Sequence, residues 1–391
     1  MPSLRPLPGS FDQHTAHLED PRLLRTRRYE LTHLLFMAFC AVLAGSQGWS
    51  DIAGFATDKR AWFELFFELP SGTPCACTFR RLFERLPPHV LVDAFSLWID
   101  TLRERLPGEV LAFDGKAIRS AFEEASRTTP LHMLSVWSVT HQLVLTHRPV
   151  AGAPGEVAGI EELLRLIDVR GCVLTSDANG CTRDITAAIV AAGADYQLAL
   201  KGNRGPIHEA TVALFADPES QASTPDETND APTEHVESDK GHGRRETRTT
   251  RVLSALRLSE ALRARWPSVR SLVAIQRERT VGGETSVEMA YFLSSERPDA
   301  CRQSSLARAH WSIENQQHWI LDVTMGEDTC GVRDETSGAN LGTLRRMALN
   351  LLQHADAGPG SVVRKQQKAN RSDAYLLQLL TAGRDQTKPG N

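Results

Sequence analysis

In Glu109-Val-Leu-Ala-Phe-Asp-Gly-Lys116 the chain changes from helical to strand-like patterning. The run from Glu109 to Asp114 is mostly apolar and closes on Asp-Gly-Lys, which reads as a strand entering a turn. Upstream the chain reads as helix. An apolar helix covers about Leu31 to Leu43 and is broken by Gly45 and Gly48. Others cover about Asp51 to Phe67, a segment from about Thr78, and Pro88 to Arg105, with a turn from Pro70 to Pro74. This gives an all-helical unit over residues 21–106, behind a flexible start at 1–20. The pattern therefore changes at Gly108, where a second domain begins.

Downstream, Leu131 to Thr140 and Gln142 to Val150 read as two more strands with a turn near His141, making a three-stranded antiparallel meander. Ile160 to Ile167 reads as a helix and Gly171 to Ser176 as a fourth strand ending in Asp177-Ala-Asn-Gly. A helix over Asp184 to Ala192 leads to a fifth strand, Tyr196 to Leu200, ending in Lys201-Gly-Asn203. A helix over Ile207 to Phe215 follows. The expected fold is α/β: a mixed sheet with helices on both faces, over 107–215 and 300–355. Asp114 and Asp177 both fall at or just past strand ends, where open α/β sheets place ligands.

Residues 217–239 contain eight Asp or Glu and no Lys or Arg. Residues 216–240 therefore read as a disordered or surface loop. Without those eight acids the net charge moves from −4 to +4, so the body of the chain is mildly basic and can carry a phosphate-binding face. Strands at Thr249–Leu253, Val269–Arg277 and Val287–Leu293, with a Gly282-Gly283 turn, make 216–299 an acidic loop plus a β-rich insertion. The tail, 356–391, is basic and loosely held apart from a short helix near Tyr375 to Leu380. A helix over about Leu341 to His354 reads as amphipathic, with Arg345 and Arg346 on its polar side.

Residues 305–328 read as a helix of about four turns, then an acidic segment. His310, Glu314 and His318 recur every four residues and share one stripe, with Trp311 and Trp319 expected to be partly buried beside it. Glu314 is either a solvated surface carboxylate or the third acid of a cluster with Asp114 and Asp177. Like charges about 4 Å apart repel by about 1 kcal/mol in water and about 4 kcal/mol at an effective dielectric of 20. Three acids in one pocket thus need raised pKa values or a cation. All-oxygen ligands favour Mg²⁺ or Mn²⁺, and a pair of such ions suits displacement at a phosphodiester. Lys116, Lys201, Arg244 and Arg248 are either phosphate contacts or plain surface charge. Arg80, Arg81 and Arg85 are either a solvated face or a helix laid against DNA. A zinc site from His310, Glu314 and His318 has workable spacing but leaves both aspartates without a role. A glycosidase with paired carboxylates is disfavoured by an aromatic content of only 6%.

The seven cysteines include no Cys-x-x-Cys pair, and the longest apolar run, Leu34 to Ala44, is too short to span a bilayer. No signal peptide is visible, so a reduced cytoplasmic setting with no membrane is expected.

Several segments together carry a family resemblance: Asp-Gly-Lys at 114–116, Leu-Thr-Ser-Asp-Ala at 174–178, Ala-Asp-Tyr-Gln-Leu-Ala-Leu-Lys-Gly-Asn at 194–203 and Gly-Arg-Arg-Glu-Thr-Arg at 243–248. With them stand His-Trp-Ser-Ile-Glu-Asn-Gln-Gln-His-Trp-Ile-Leu-Asp-Val at 310–323, Glu-Asp at 327–328 and Asn-Leu-Gly-Thr-Leu-Arg-Arg-Met-Ala-Leu-Asn-Leu-Leu at 340–352. In this order the chain resembles DDE-type insertion-sequence transposases of the H-repeat-associated group over roughly residues 15–380, including the helical domain that accompanies them. The resemblance implies a ribonuclease-H-like core with Asp114, Asp177 and Glu314 as a triad binding Mg²⁺ or Mn²⁺. It also implies double-stranded DNA as partner, through terminal inverted repeats and target, and a homodimer on that DNA. DNA contacts are expected from Lys116, Lys201, Asn203, Arg244, Arg248, His310 and His318. The chain departs from the wider pattern: His310 stands where Arg is usual, Leu321 where Lys is, Thr182 and Arg204 where Gln is common. A nuclease of the same fold without strand transfer, and a non-catalytic DNA-binding remnant, are the other readings. Inverted repeats flanking the gene would separate the first, and loss of Mg²⁺-dependent cleavage in Asp177→Ala the second.

Overall fold

A computed structural model describes residues 4–8, 11–100, 103, 106–118, 130–217, 219, 231–241, 244–354 and 360–381. Helices α1 (Phe11–Thr15), α2 (Leu31–Leu43), α3 (Trp49–Asp58), α4 (Arg60–Phe63), α5 (Ala76–Phe83) and α6 (Pro88–Asp100) form the N-terminal region. Every residue of α2 from Leu34 to Leu43 is buried, as befits a helix that is apolar all round and sits at the centre of its neighbours. The Asp51 carboxylate accepts from Gln47 N and Gly48 N at 3.1 and 3.2 Å, closing the turn before α3.

Nine strands build one mixed sheet in the order β3-β2-β1-β4-β5-β9-β8-β7-β6. β1 (Val110–Ile118), β2 (Leu131–Ser138) and β3 (Leu143–Val150) form the antiparallel meander. β4 (Val173–Ser176) and β5 (Asp195–Leu200) lie parallel beside β1, through the connecting helices α7 (Gly152–Leu166) and α8 (Arg183–Ala191). This half is the ribonuclease-H-like sheet. After α9 (Pro206–Ala216), β6 (Thr233–Gly241), β7 (Arg244–Ser254), β8 (Ser271–Val281) and β9 (Glu284–Ser294) complete the sheet. The insertion is therefore joined to the core: β9 pairs antiparallel with β5, Tyr291 to Ser294 against Leu200 to Gln197, and covers an edge that would otherwise expose unpaired amides. Gly282 and Gly283 take φ of 60° and 89°, the left-handed values that the tight β8–β9 turn demands.

Three local expectations are corrected. β6 occupies the end of the acidic stretch, where Glu234 and Glu237 stand opposite Arg251 and Arg248 of β7, so cross-strand charge pairing offsets a composition that alone favours a loop; residues 220–230 of that stretch lie outside the described residues. Helix Glu335–His354 is buried from Ser337 to Leu352 rather than amphipathic, with Arg345 and Arg346 inside. It packs against α2, α6 and β3 together. After the undescribed 355–359, helices Val362–Arg371 and Asp373–Thr381 are anchored by buried Leu376 and Leu379 and by a 2.6 Å Lys59–Asp373 ion pair, so the described part of the tail is docked.

Candidate active site

β1 runs four residues beyond Asp114 because β2 goes on pairing with it as far as Ile118 opposite Leu131. β4 pairs only as far as Phe113 opposite Ser176. Asp114 is thus not at a strand end. It stands where β1 loses its parallel neighbour, and Asp177 leaves β4 at the same level. The notch between them lies where strand order turns outward from β1, the place where such sheets form crevices. Asp177 is fixed by an Asx turn, its Oδ1 accepting from Asn179 N at 2.9 Å and Gly180 N at 3.4 Å.

Helix Ala300–His310 runs on past a break at Trp311 into two π-helical segments, Glu314–His318 and Ile320–Thr324. Wide turns of this kind recur at functional sites and rotate the side chains that follow them. This is why the expected stripe is modified. Glu314 is exposed at the mouth of the notch, while His310 and His318 are partly buried behind it. Trp311 and Trp319 are 52% and 57% exposed, not partly buried.

Asp114 feels the charges of the other two acids. Burial, then the charges of Asp177 and Glu314, push Asp114 up to about 7. His318 Nδ1 lies 3.4 Å from Asp114 Oδ2. Burial, with Arg346 and Lys116 nearby, holds His318 down at about 3, so at neutral pH the contact is not a charged ion pair. His310 Nδ1 is 3.2 Å from Thr175 Oγ1, and burial lowers it to about 4. Both imidazoles stand beside the notch as neutral groups. Among the described residues no three His, Cys, Asp or Glu side chains are gathered closely enough to hold a metal ion. The acids interact across the notch without forming one coordination cluster. The donors are all hard oxygens, the class of ligand that Mg²⁺ and Mn²⁺ prefer.

Lys116 goes elsewhere. It is 7% exposed, and its Nζ lies 2.6 Å from Asp322, 3.1 Å from Glu327 and 3.4 Å from Asp328. Glu327 is fully buried and also bonds Arg346 at 2.7 Å, and these cations hold its carboxyl down at about 2 against burial. The Asp-Gly-Lys motif therefore supplies one residue to the pocket and one to a buried charge network behind it. Lys201 and Asn203 are exposed beyond β5, in the loop whose Arg204 donates to Ala178 O and Asn179 O at 2.7 and 2.9 Å. Arg204 thus grips the Asp177 turn. Arg244 and Arg248 stand on β7 beside Glu246, five strands from β1 in the sheet order.

One acid was not foreseen. Glu156, in the second turn of α7, bonds Asn179 Nδ2 at 3.2 Å. Burial raises its carboxyl, Asn179 opposes that rise and Asp177 adds to it. The available signal was a carboxylate preceding an apolar helical run, but Gly152-Ala-Pro-Gly155 reads as loop.

The sequence profile of the family described as "Transposase DDE domain" matches residues 105–351, and that of "DDE_Tnp_1-associated" matches 13–99. The chain is 30% identical over 363 residues to "Putative transposase YncI" of Escherichia coli O157:H7, covering 91% of this chain and 90% of that protein. It is 28% identical to "H repeat-associated putative transposase YhhI" of Escherichia coli K12, covering 94% and 97% of the two chains. It is 34% identical over 286 residues to an uncharacterized protein encoded in the dhlA 3′ region of Xanthobacter autotrophicus, covering 72% and 93%.

Proposed function

Because the chain belongs to the Transposase DDE domain family, we propose that it mobilises an insertion sequence, binding terminal inverted repeats, hydrolysing a strand at each end and joining the freed 3′-hydroxyl to target DNA. The observation that carries this reading is the notch where β4 stops pairing with β1, which sets Asp114 and the Asp177 turn at one level, with the Asp114 carboxyl raised by burial and by the charges of Asp177 and Glu314. Asp114, Asp177 and Glu314 would hold Mg²⁺ or Mn²⁺, which when bound polarise the phosphodiester and activate the attacking hydroxyl.

The protein's own groups have separable tasks. The Asx turn fixes Asp177, and the partly buried His318 beside Asp114 restricts water on that side. Glu314, exposed on wide helical turns, is the acid free to swing toward the other two. Lys201 and Asn203 bind the DNA backbone near the cut. Arg244 and Arg248, on β7 of the insertion, bind the backbone farther along the duplex. Lys116 serves the interior instead. Two element ends require two pockets, so a homodimer on DNA is the expected assembly.

The test is strand cleavage of a terminal-repeat duplex in Mg²⁺ with wild type, Asp177→Ala and Glu314→Gln. Cleavage lost in both variants, with joined products formed by wild type, supports transposition. Cleavage without joined products points to a nuclease. Cleavage that survives Asp177→Ala overturns the site.

A further inference from the structure

The site reading above rests on three acids and leaves Glu156 without a task. Gly115 and Asn179, from the two strand-end motifs, converge on it. A Cβ added at Gly115 would lie 2.2 Å from Glu156 Oε1 and 3.0 Å from its Cδ, so the carboxylate occupies the space that a side chain at 115 would need. Its other oxygen, Oε2, accepts from Asn179 Nδ2 at 3.2 Å. Asn179 is two residues past Asp177, and its own N–H closes the Asp177 turn. A single carboxylate thus touches β1 next to Asp114 and the turn that carries Asp177. β4 has stopped pairing with β1 at this level. No backbone ladder holds the two motifs together there, and Glu156 fills the gap.

We propose that Glu156 is a positioning residue that clamps the Asp177 turn to β1 at Gly115 and so fixes the separation of Asp114 and Asp177. Its role is that of a hydrogen-bond acceptor for Asn179, and it requires glycine at 115. The clamp deepens the metal-dependent reading of the same site and depends on it. Glu156 stands behind Asn179, which bonds Asp177 directly; loss of such outer-shell support typically changes metal affinity by about 10- to 100-fold.

The experiment is calorimetric titration of Mn²⁺ alone into the full-length protein, without DNA, with circular dichroism confirming the fold of each variant. Wild type binds and Asp177→Ala does not. Glu156→Ala, Gly115→Ala and Asn179→Ala each weaken binding by about 10- to 100-fold, whereas Glu156→Gln, which keeps the acceptor, stays close to wild type. Rescue by the amide separates an acceptor from a charged ligand. If Glu156→Gln falls as far as Glu156→Ala, or if Asn179→Ala binds like wild type, the clamp is overturned while the metal site stands. If wild type takes up no Mn²⁺, the site reading falls and the clamp with it. Should Glu156→Ala fail to fold, Asn179→Ala and Glu156→Gln decide the matter.

Discussion

At Asp114 the molecule holds a carboxyl at about 7, against an ordinary value near 3.9 in an unfolded chain. Between those values the folded state binds more protons than the unfolded one, so this residue costs stability as pH rises through about 4 to 7. His310 and His318, lowered to about 4 and 3, work the other way: the unfolded chain takes up their protons below about 6.5, and stability falls as pH drops. The two effects oppose each other in the total, so a difference measurement is needed. In metal-free protein, Asp114→Asn gains stability relative to wild type by up to about 1.4 kcal/mol per pH unit between about pH 4 and 7. Urea unfolding of both proteins at a series of pH values in a chelator checks this. A difference that does not change with pH would show that Asp114 is not displaced. Added Mn²⁺ stabilises wild type at pH 8 and leaves the variant much less affected.

Among the elements, the strap of charge behind the pocket matters most. Lys116 ties β1 to Asp322 on the π-helical segment and to Glu327 and Asp328 after it, and Arg346 continues the tie into the long buried helix. Removing one partner of a buried pair leaves a charge uncompensated, at about 3–5 kcal/mol. Lys116→Met takes only one of the two cations from the fully buried Glu327, which keeps Arg346 at 2.7 Å, so a smaller loss of about 1–3 kcal/mol is expected in denaturant unfolding. A loss below about 1 kcal/mol would assign Lys116 to the surface-pair class. The same substitution should alter the salt dependence of DNA binding little, because the ammonium already faces carboxylates. Lys201→Ala should reduce the slope of log affinity against log salt by about one.

For the whole molecule, the decisive fact is that one apolar cluster runs from Phe11 through the sheet to Leu380. The helix Glu335–His354 is shared between the N-terminal helices and the sheet. Leu344, fully buried at its centre, should cost about 2–5 kcal/mol when replaced by alanine. The helical region and the core are expected to unfold together in a single calorimetric transition. Residues 21–106 expressed alone should fail to give a cooperative one, because α2 would lose partners on several sides. Two well-separated transitions in the full chain would refute that shared core.

Much of this architecture was legible locally. Alternation and turn residues announce the β1–β3 meander, Asp177 after β4, and the Gly282-Gly283 hairpin, because period and turn chemistry depend on near neighbours along the chain. The same information fails at Glu156, hidden behind a Gly-Ala-Pro-Gly run, and at β6, whose acids are tolerable only because β7 brings arginines opposite. It fails again for Trp311, at the break in the helix, and for Trp319, between the two wide turns, both of which face solvent. Local pattern was enough to lay out most of the strands and helices along the chain and to single out three candidate acids. Which charges face inward was settled by packing, which turns Lys116, Arg346 and Glu327 into a buried network and brings Glu156 to Gly115. The reason is that a charge's free energy depends on the dielectric and the partners around it, and both come from segments far away in the chain.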